Sequence, residues 1–374
     1  MTKLHALANL GQSIWLDYIH RSFIASGELQ ALIDQGLRGI TSNPTIFEKA
    51  IVGSRDYDEQ LETVVRAGAP AEAIYSALVL EDIRNAAGLL RPVFEQTQGA
   101  DGYVSLEVSP TLAHATDATL EEALRLWSLV DRPNLMVKIP ATIEGIPAIH
   151  AATAAGVNVN VTLIFSLARY AKVIEAYLAG LRQRLEAGRP IDQIASVASF
   201  FISRVDSKVD RLLDQTGGQE AQALKGQAAI ANAKLAYRQF QAVFESDRFA
   251  DLQAHGARLQ RPLWASTSTK NPAYSDILYV QELIGRHTVN TMPQETLEAF
   301  LDHGSVRLTI HDDIDRARSV FQSLEDLGVS MEQVTQELED EGVAAFANSF
   351  ESLQKSIRAK HQHVNARIAA RYTR

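Results

Sequence analysis

Lys138 sits where a charge is out of place. It lies in "PNLMVKIPATIEG" (133–145), among Leu135, Met136, Val137 and Ile139, just before Pro140 and a turn. An ammonium withdrawn from water costs several kcal/mol unless it is paired or loses its proton. In a partly dry wall an amine gives up that proton more readily, and the free amine adds to a carbonyl to form a Schiff base. The iminium then draws electrons from the neighbouring carbon–carbon bond. A carboxylate must take the proton from the hydroxyl on the bond that breaks, and another group must manage water at the carbinolamine. The chain offers Asp17 after "SIWL" and Glu107 between Leu106 and Val108 for those tasks. The structural alternative for Lys138 is a stem lying in the wall while the head snorkels to solvent.

These residues need elements to position them, and the chain alternates short β-type runs with helical patterns. Strands are expected at 13–18, 38–42, 103–109, 134–139, 158–165, 195–202, 261–266 and 287–291. Amphipathic helices lie between them, for example over 167–187 and 219–245; in the first, Tyr170, Val173, Ile174, Tyr177, Leu178, Leu181 and Leu185 fall at helical spacing. Eight strands alternating with helices predict an α/β fold, a (β/α)₈ TIM barrel, whose usual length is about 250 residues. The surplus predicts extra helices near 44–98, 205–258 and the C-terminal 310–370. No Pro-, Gly- or Ser-rich linker divides the chain, so a single domain over 1–374 is expected. An open doubly wound sheet is the competitor, but no glycine-rich phosphate loop follows an early strand.

In such a barrel the chemistry gathers at the C-terminal ends of the strands. Polar residues collect there: Asp17, then Thr41-Ser42-Asn43, Glu107, Lys138, Asn160 with Thr162, Ser199 with Arg204 beyond it, and Ser266 followed by Lys270. Singly each has a plain reading. Asn43 before Pro44 could cap a helix, and Asp17 could be a satisfied buried carboxylate. Together, at the same end of successive strands, they place the cost of buried polarity in one location.

The bulk composition narrows the chemistry. The chain has 374 residues, is 46% apolar and carries a net charge of −9 with scattered basic residues, which argues against a nucleic-acid footprint but not against a small anionic substrate. With no cysteine, disulfides, thiolate catalysis and iron–sulfur clusters are excluded. No signal-peptide core or membrane span is evident at sequence level, so a cytoplasmic protein is expected. No metal is needed by the Schiff-base route and no His-x-x-x-His pair lies on the strand ends. In "IHDDIDRA" (310–317), Asp312 or Asp313 is expected to cap a helix.

The motifs "GITSNPTIFEKAI", "SLEVSP", "NLMVKIPAT" with "EGIPAI", "NVNVTLIFS", "SFFISRVD" and "LWASTSTKNP" resemble the transaldolase family, in its longer bacterial form, over about residues 10–350. The resemblance implies transfer of a dihydroxyacetone unit from sedoheptulose 7-phosphate to glyceraldehyde 3-phosphate in the non-oxidative pentose phosphate pathway, without a cofactor. Lys138 matches the Schiff-base lysine and Asp17 the acid/base at the C4 hydroxyl. Glu107 matches the carboxylate that works through a water, which Thr162 helps to hold. Asn43 and Asn160 match amides that orient the hydroxyls of the bound three-carbon unit; Ser199 and Phe201 line the same pocket, Ser266 lies at the matching point on strand seven, and Thr41, at the end of strand two, is a further substrate-binding candidate. Arg204 matches a phosphate-binding arginine.

Strand seven departs from the family pattern. Many shorter transaldolases carry an arginine two residues after the equivalent of Ser266, where this chain has Ser268. Either Lys270 supplies the second phosphate contact or a cation comes from elsewhere. Alternatively Arg204 pairs with Asp206 or Asp210 and Lys270 is an exposed loop residue. His20 and Arg21 have no role legible in the sequence. Two other functions remain open: a fructose 6-phosphate aldolase-like enzyme that releases free dihydroxyacetone, and a non-catalytic sugar-phosphate-binding barrel. The expected partners are small sugar phosphates, with no nucleic acid and no membrane; a monomer and a homodimer both fit.

Overall fold

The structure, a computed structural model, describes residues 2–372. Its eight strands are β1 (Gln12–Leu16), β2 (Gly39–Thr41), β3 (Tyr103–Glu107), β4 (Leu135–Pro140), β5 (Val159–Ile164), β6 (Ser196–Phe201), β7 (Gln260–Ala265) and β8 (Thr288–Met292). They close in sequence order, β1 pairing in parallel with β8, into a (β/α)₈ barrel with additional helices. Almost every strand residue is buried, because helices cover the outside and side chains fill the inside.

The period of two decides which side chains meet inside the barrel. Contacts between non-adjacent strands identify them: Asn160 Nδ2 on β5 donates to Ser105 Oγ on β3 at 2.9 Å, and Arg261 on β7 reaches Ser13 on β1 at 2.6 Å. Counting upward in twos, β3 sends Tyr103, Ser105 and Glu107 inward, while β4 sends Met136 and Lys138. Register aligns Glu107 with Lys138 and Lys138 with Asn160, so the three stand in one row across β3–β5.

The expected surplus of helices takes definite places. Residues 44–98 hold Pro44–Gly53, Asp58–Arg66 and Ala71–Gln96; the C-terminal region holds Ile314–Asp326 and Met331–Tyr372. The last of these crosses the C-terminal face of the barrel. Its Glu339 forms a buried ion pair with Arg169 at 3.1 Å, Ser349 accepts from Thr45 at 2.9 Å, and Lys360 pairs with Asp58 at 2.9 Å. Gly342 marks the closest approach: a Cβ there would lie 2.9 Å from Leu163 Cδ2.

Several expectations need correction. The helix expected over 219–245 is two, Gly218–Leu224 and Ala228–Phe244. Gly226 between them has φ +72° and its N–H donates to Asp210, so the chain turns to satisfy a buried carboxylate. Strand five is continuous but bulged. Its pairing with β6 shifts register between Val161 and Ile164, and Leu163 adopts φ +58°, a bulge that no β-branched pattern announces. Asp17 lies one residue beyond β1, its N–H still donating to Met292 O at 2.9 Å. Asp313 does occupy the N-cap position of Ile314–Asp326, but at φ +55° its side chain caps nothing; Asp312 instead pairs with Arg307 at 2.6 Å. Arg21 pairs with the buried Asp82 at 2.9 Å and lies over the Tyr57 ring, while His20 accepts from Ser22 N at the start of a short helix. Both are anchors for the β1–β2 connection.

Gly39 tests the packing of the barrel floor. A Cβ at this position would sit 2.6 Å from the buried Trp15 indole, which a hydrogen bond to Asp101 at 3.2 Å holds in place. Gly39→Ala is therefore expected to destabilise the fold by about 1–3 kcal/mol through overpacking, read as a lower urea midpoint at unchanged m-value. An unchanged midpoint would mean that the Trp15 ring can shift.

Candidate active site

A cavity of about 320 Å³ opens at the C-terminal ends of the strands. Asp17, Thr41, Asn43, Lys138, Thr162, Ser199, Phe201, Arg204, Ser266 and Lys270 all line it. Of the polar residues collected at the strand ends from sequence, Ser42, Glu107 and Asn160 are the three that do not.

Lys138 is buried but not in purely apolar surroundings. Its Nζ donates to the Ser42 carbonyl at 3.0 Å and lies 3.2 Å from Glu107 Oε2. Glu107 faces a neighbouring cavity of about 410 Å³ beneath the C-terminal helix, and Asn43 borders both spaces. Burial pushes the Glu107 carboxyl up from its ordinary range and the Asp17 charge adds to this, while the Lys138 ammonium pulls it back. The Glu107 carboxyl thus stands between burial and the opposing charge of the ammonium beside it.

Asp17 is held by Thr41, whose Oγ1 donates to Oδ1 at 2.6 Å; Thr41 Oγ1 is itself 2.7 Å from Thr291 Oγ1. Burial raises the Asp17 carboxyl as well, opposed by Lys138, the Thr41 hydrogen bond and Arg204. The two carboxyls thus flank one amine, each poised between burial and that positive charge.

The remaining polar side chains divide by what they have left to offer. Asn160 lies beneath the cavity with both amide atoms engaged, donating to Ser105 and accepting from Ser199 Oγ at 2.7 Å. Its contact with the cavity runs through Ser199. Asn43 caps Pro44–Gly53, its Oδ1 accepting from Ile46 N at 3.0 Å, which leaves the amide N–H₂ for a ligand. Thr162 Oγ1 is buried without a hydrogen-bond partner among the described residues, beside the bulge at Leu163. A buried hydroxyl costs free energy until something pairs with it, so the position suits a water or a substrate oxygen.

Cations gather on the far side. Arg204 does not pair with Asp206 or Asp210. Those carboxylates accept from backbone N–H groups of Ala229 and Gly226 and from the hydroxyls of Tyr279 and Tyr274, at 2.7–2.9 Å. Burial holds the Asp206 carboxyl up at about 7. These links tie the loop after β7, which carries Lys270, to the helix that carries Arg204. Arg204 lies over Phe201, 5.4 Å from the ring centroid, and also 6.0 Å from the Phe346 ring of the C-terminal helix. Lys270 is exposed as a residue, but its head leans into the cavity mouth, hydrogen-bonded to Ser268 Oγ at 2.7 Å; partial loss of water there and the nearby charges of Arg204 and Lys49 lower its pKa. Mutual repulsion among cations lining one cavity is what an anion would relieve.

Sequence reasoning missed Lys49, Thr291 and Phe346, all of which line the cavity. Lys49 is on a helix face whose direction depends on the Asn43 cap, and Phe346 arrives through the long-range path of the C-terminal helix. Thr291 carried the only available signal, a hydroxyl near the end of the eighth strand.

Comparison with known proteins bears on this arrangement. The family model described as Transaldolase/Fructose-6-phosphate aldolase matches residues 14–357. A transaldolase of Thermobifida fusca is 52% identical over 352 residues, covering 94% of this chain and 96% of its own. Transaldolases of Mycobacterium tuberculosis and Trichodesmium erythraeum are 48% and 47% identical, each covering 95% of this chain and 96% of its own. With its ordered motifs on a closed parallel barrel and this likeness over nearly its whole length, the chain belongs to the transaldolase family.

Proposed function

We propose that the chain performs the transaldolase reaction through an imine on Lys138, moving a dihydroxyacetone unit from sedoheptulose 7-phosphate to glyceraldehyde 3-phosphate. The observation that carries this reading is the Lys138–Glu107 pair, 3.2 Å apart, with Asp17 at the floor of the adjoining cavity. Binding alone needs no such amine. A proton passes from Lys138 to Glu107, the amine adds to the ketose carbonyl, and the oxygen leaves as water. Asp17 then takes the C4 hydroxyl proton as the C3–C4 bond breaks and returns it when the aldose acceptor adds. Thr162 holds the water of imine formation and hydrolysis, and Asn43, Asn160 (through Ser199), Ser266 and Thr41 orient the hydroxyls. Arg204 and Lys270 receive the phosphate. Among the described residues no helix is long and apolar enough to cross a membrane, and we place the enzyme, as one domain, in the cytoplasm.

The covalent step is tested by trapping. Fructose 6-phosphate with borohydride should leave a reduced three-carbon adduct on Lys138 alone, located by peptide mapping. Lys138→Arg should lose both turnover and adduct, since a guanidinium stays protonated. Label on another lysine would overturn the assignment. Free dihydroxyacetone produced equally fast without an acceptor aldose phosphate would favour the aldolase reading.

The two carboxyls should separate. Asp17→Asn should still form the imine yet cleave carbon–carbon bonds about 10²–10⁴-fold more slowly, while Glu107→Gln slows imine formation and hydrolysis by a similar factor. Trapping in the Glu107 variant but not in the Asp17 variant would reverse the two roles.

For the phosphate site, Arg204→Ala should weaken kcat/KM for fructose 6-phosphate by about 1.5–3 kcal/mol, the worth of a hydrogen bond to a charged group. Lys270→Ala should show a milder loss. Unphosphorylated fructose should be affected far less in both. An equal drop on both sugars would assign these side chains to folding instead, and no drop for Lys270→Ala would leave Lys49 as the second cation.

A further inference from the structure

The opposite end of the barrel is also open. A cavity of about 580 Å³ enters at the N-terminal ends of the strands and reaches inside the barrel to Trp15, Tyr103 and Met136. Arg38, Arg258 and Arg261 line it, and Asp101 is the only carboxylate among its lining residues. That carboxylate is fully engaged. It accepts from Ser13 Oγ at 2.5 Å, Trp15 Nε1 at 3.2 Å and Arg261 Nη1 at 3.2 Å.

The arginines differ in how they are held. Arg261 also donates to the carbonyls of Ala100 and Thr288, and Arg258 to those of Gly99 and Asp192 and to the Tyr103 hydroxyl. Carbonyl acceptors satisfy N–H geometry without cancelling charge. Arg38 is partly buried, and its guanidinium makes no hydrogen bond or ion pair among the described residues, only its backbone pairing with Ile14 and Gly102. One carboxylate against three guanidinium groups leaves two positive charges unbalanced in a concave site, on a protein whose net charge is −9. Low-dielectric walls focus such a field and favour an anion.

We propose that this N-terminal mouth is a binding site for a small phosphate monoester, separate from the substrate cavity at the other end of the strands. The planar fork of Arg38 suits phosphate oxygens, Arg258 has Nη2 left to add one contact, and the Trp15 and Tyr103 rings give the organic part an apolar surface. The volume exceeds what a bare phosphate would fill.

Phosphate binding at the substrate end must be removed to see this site. The Arg204→Ala/Lys270→Ala double variant is therefore titrated calorimetrically with inorganic phosphate and with glycerol phosphate. Saturable binding of both is expected, with glycerol phosphate at least as tight. Adding Arg38→Ala should weaken it about tenfold, the loss of one charge-assisted contact. Arg38→Glu should abolish it, and Arg38→Lys should restore part of it. In otherwise wild-type protein Arg38→Ala should leave kcat and the melting temperature unchanged. No binding to the double variant, or binding indifferent to both Arg38→Ala and Arg38→Glu, would overturn the site. Weaker binding of glycerol phosphate than of phosphate would overturn the monoester assignment.

Discussion

A lysine and a glutamate placed 3.2 Å apart in the wall of a closed barrel set the terms for the rest of this molecule. Each ion gives up several kcal/mol of hydration on burial, and their attraction offsets that loss only with further hydrogen bonds. The Ser42 carbonyl supplies one to Lys138, but Glu107 Oε2 has no other donor among the described residues. The pair is therefore held short of full satisfaction. Well-packed apolar side chains in place of such a pair often leave stability unchanged or raise it, so stability alone does not account for it. We attribute it to the proposed imine chemistry, which requires a proton to pass from the amine to the carboxylate.

The barrel makes that arrangement possible by register. Glu107, Lys138 and Asn160 occupy one row on three neighbouring strands, so backbone pairing fixes their spacing before any side-chain choice is made. Asp17 completes the set from β1 because Thr41 and Thr291, on the two strands beside it, fix its carboxylate. The cations stand further out, on two helices and a loop rather than on strands. Their placement depends on the carboxylate–tyrosine links between the helix after β6 and the loop after β7. The C-terminal helix then roofs the cavity through Phe346, anchored at Glu339, Ser349 and Lys360.

Much of this was legible in the sequence, for identifiable reasons. All eight strands are visible because a parallel barrel buries both faces of each strand, leaving short, largely apolar runs that stand out from helical spacing. Lys138 was visible for the complementary reason, as a charge within such a run. What sequence could not reveal depends on distant segments. The left-handed backbone at Leu163 and the break at Gly226 answer to the C-terminal helix, Asp210 and Tyr274, none of which is a local neighbour. Glu107 was recognised as a chemical group, yet its turn toward the neighbouring cavity follows from how Ala71–Gln96 and the C-terminal helix pack. Lys49 looked like any surface lysine until the fold gave it a direction.

In the proposed reaction the ketose oxygen leaves as water while its carbon is bound to Lys138. Oxygen exchange reads this directly. Fructose 6-phosphate incubated with the enzyme in ¹⁸O-water, without an acceptor, should incorporate label at C2 much faster than it does in buffer alone, as followed by mass spectrometry. Lys138→Arg should return the rate to that of buffer. A wild-type enzyme that transfers the three-carbon unit while the C2 oxygen is retained would contradict an imine on Lys138, and with it this account of the buried pair.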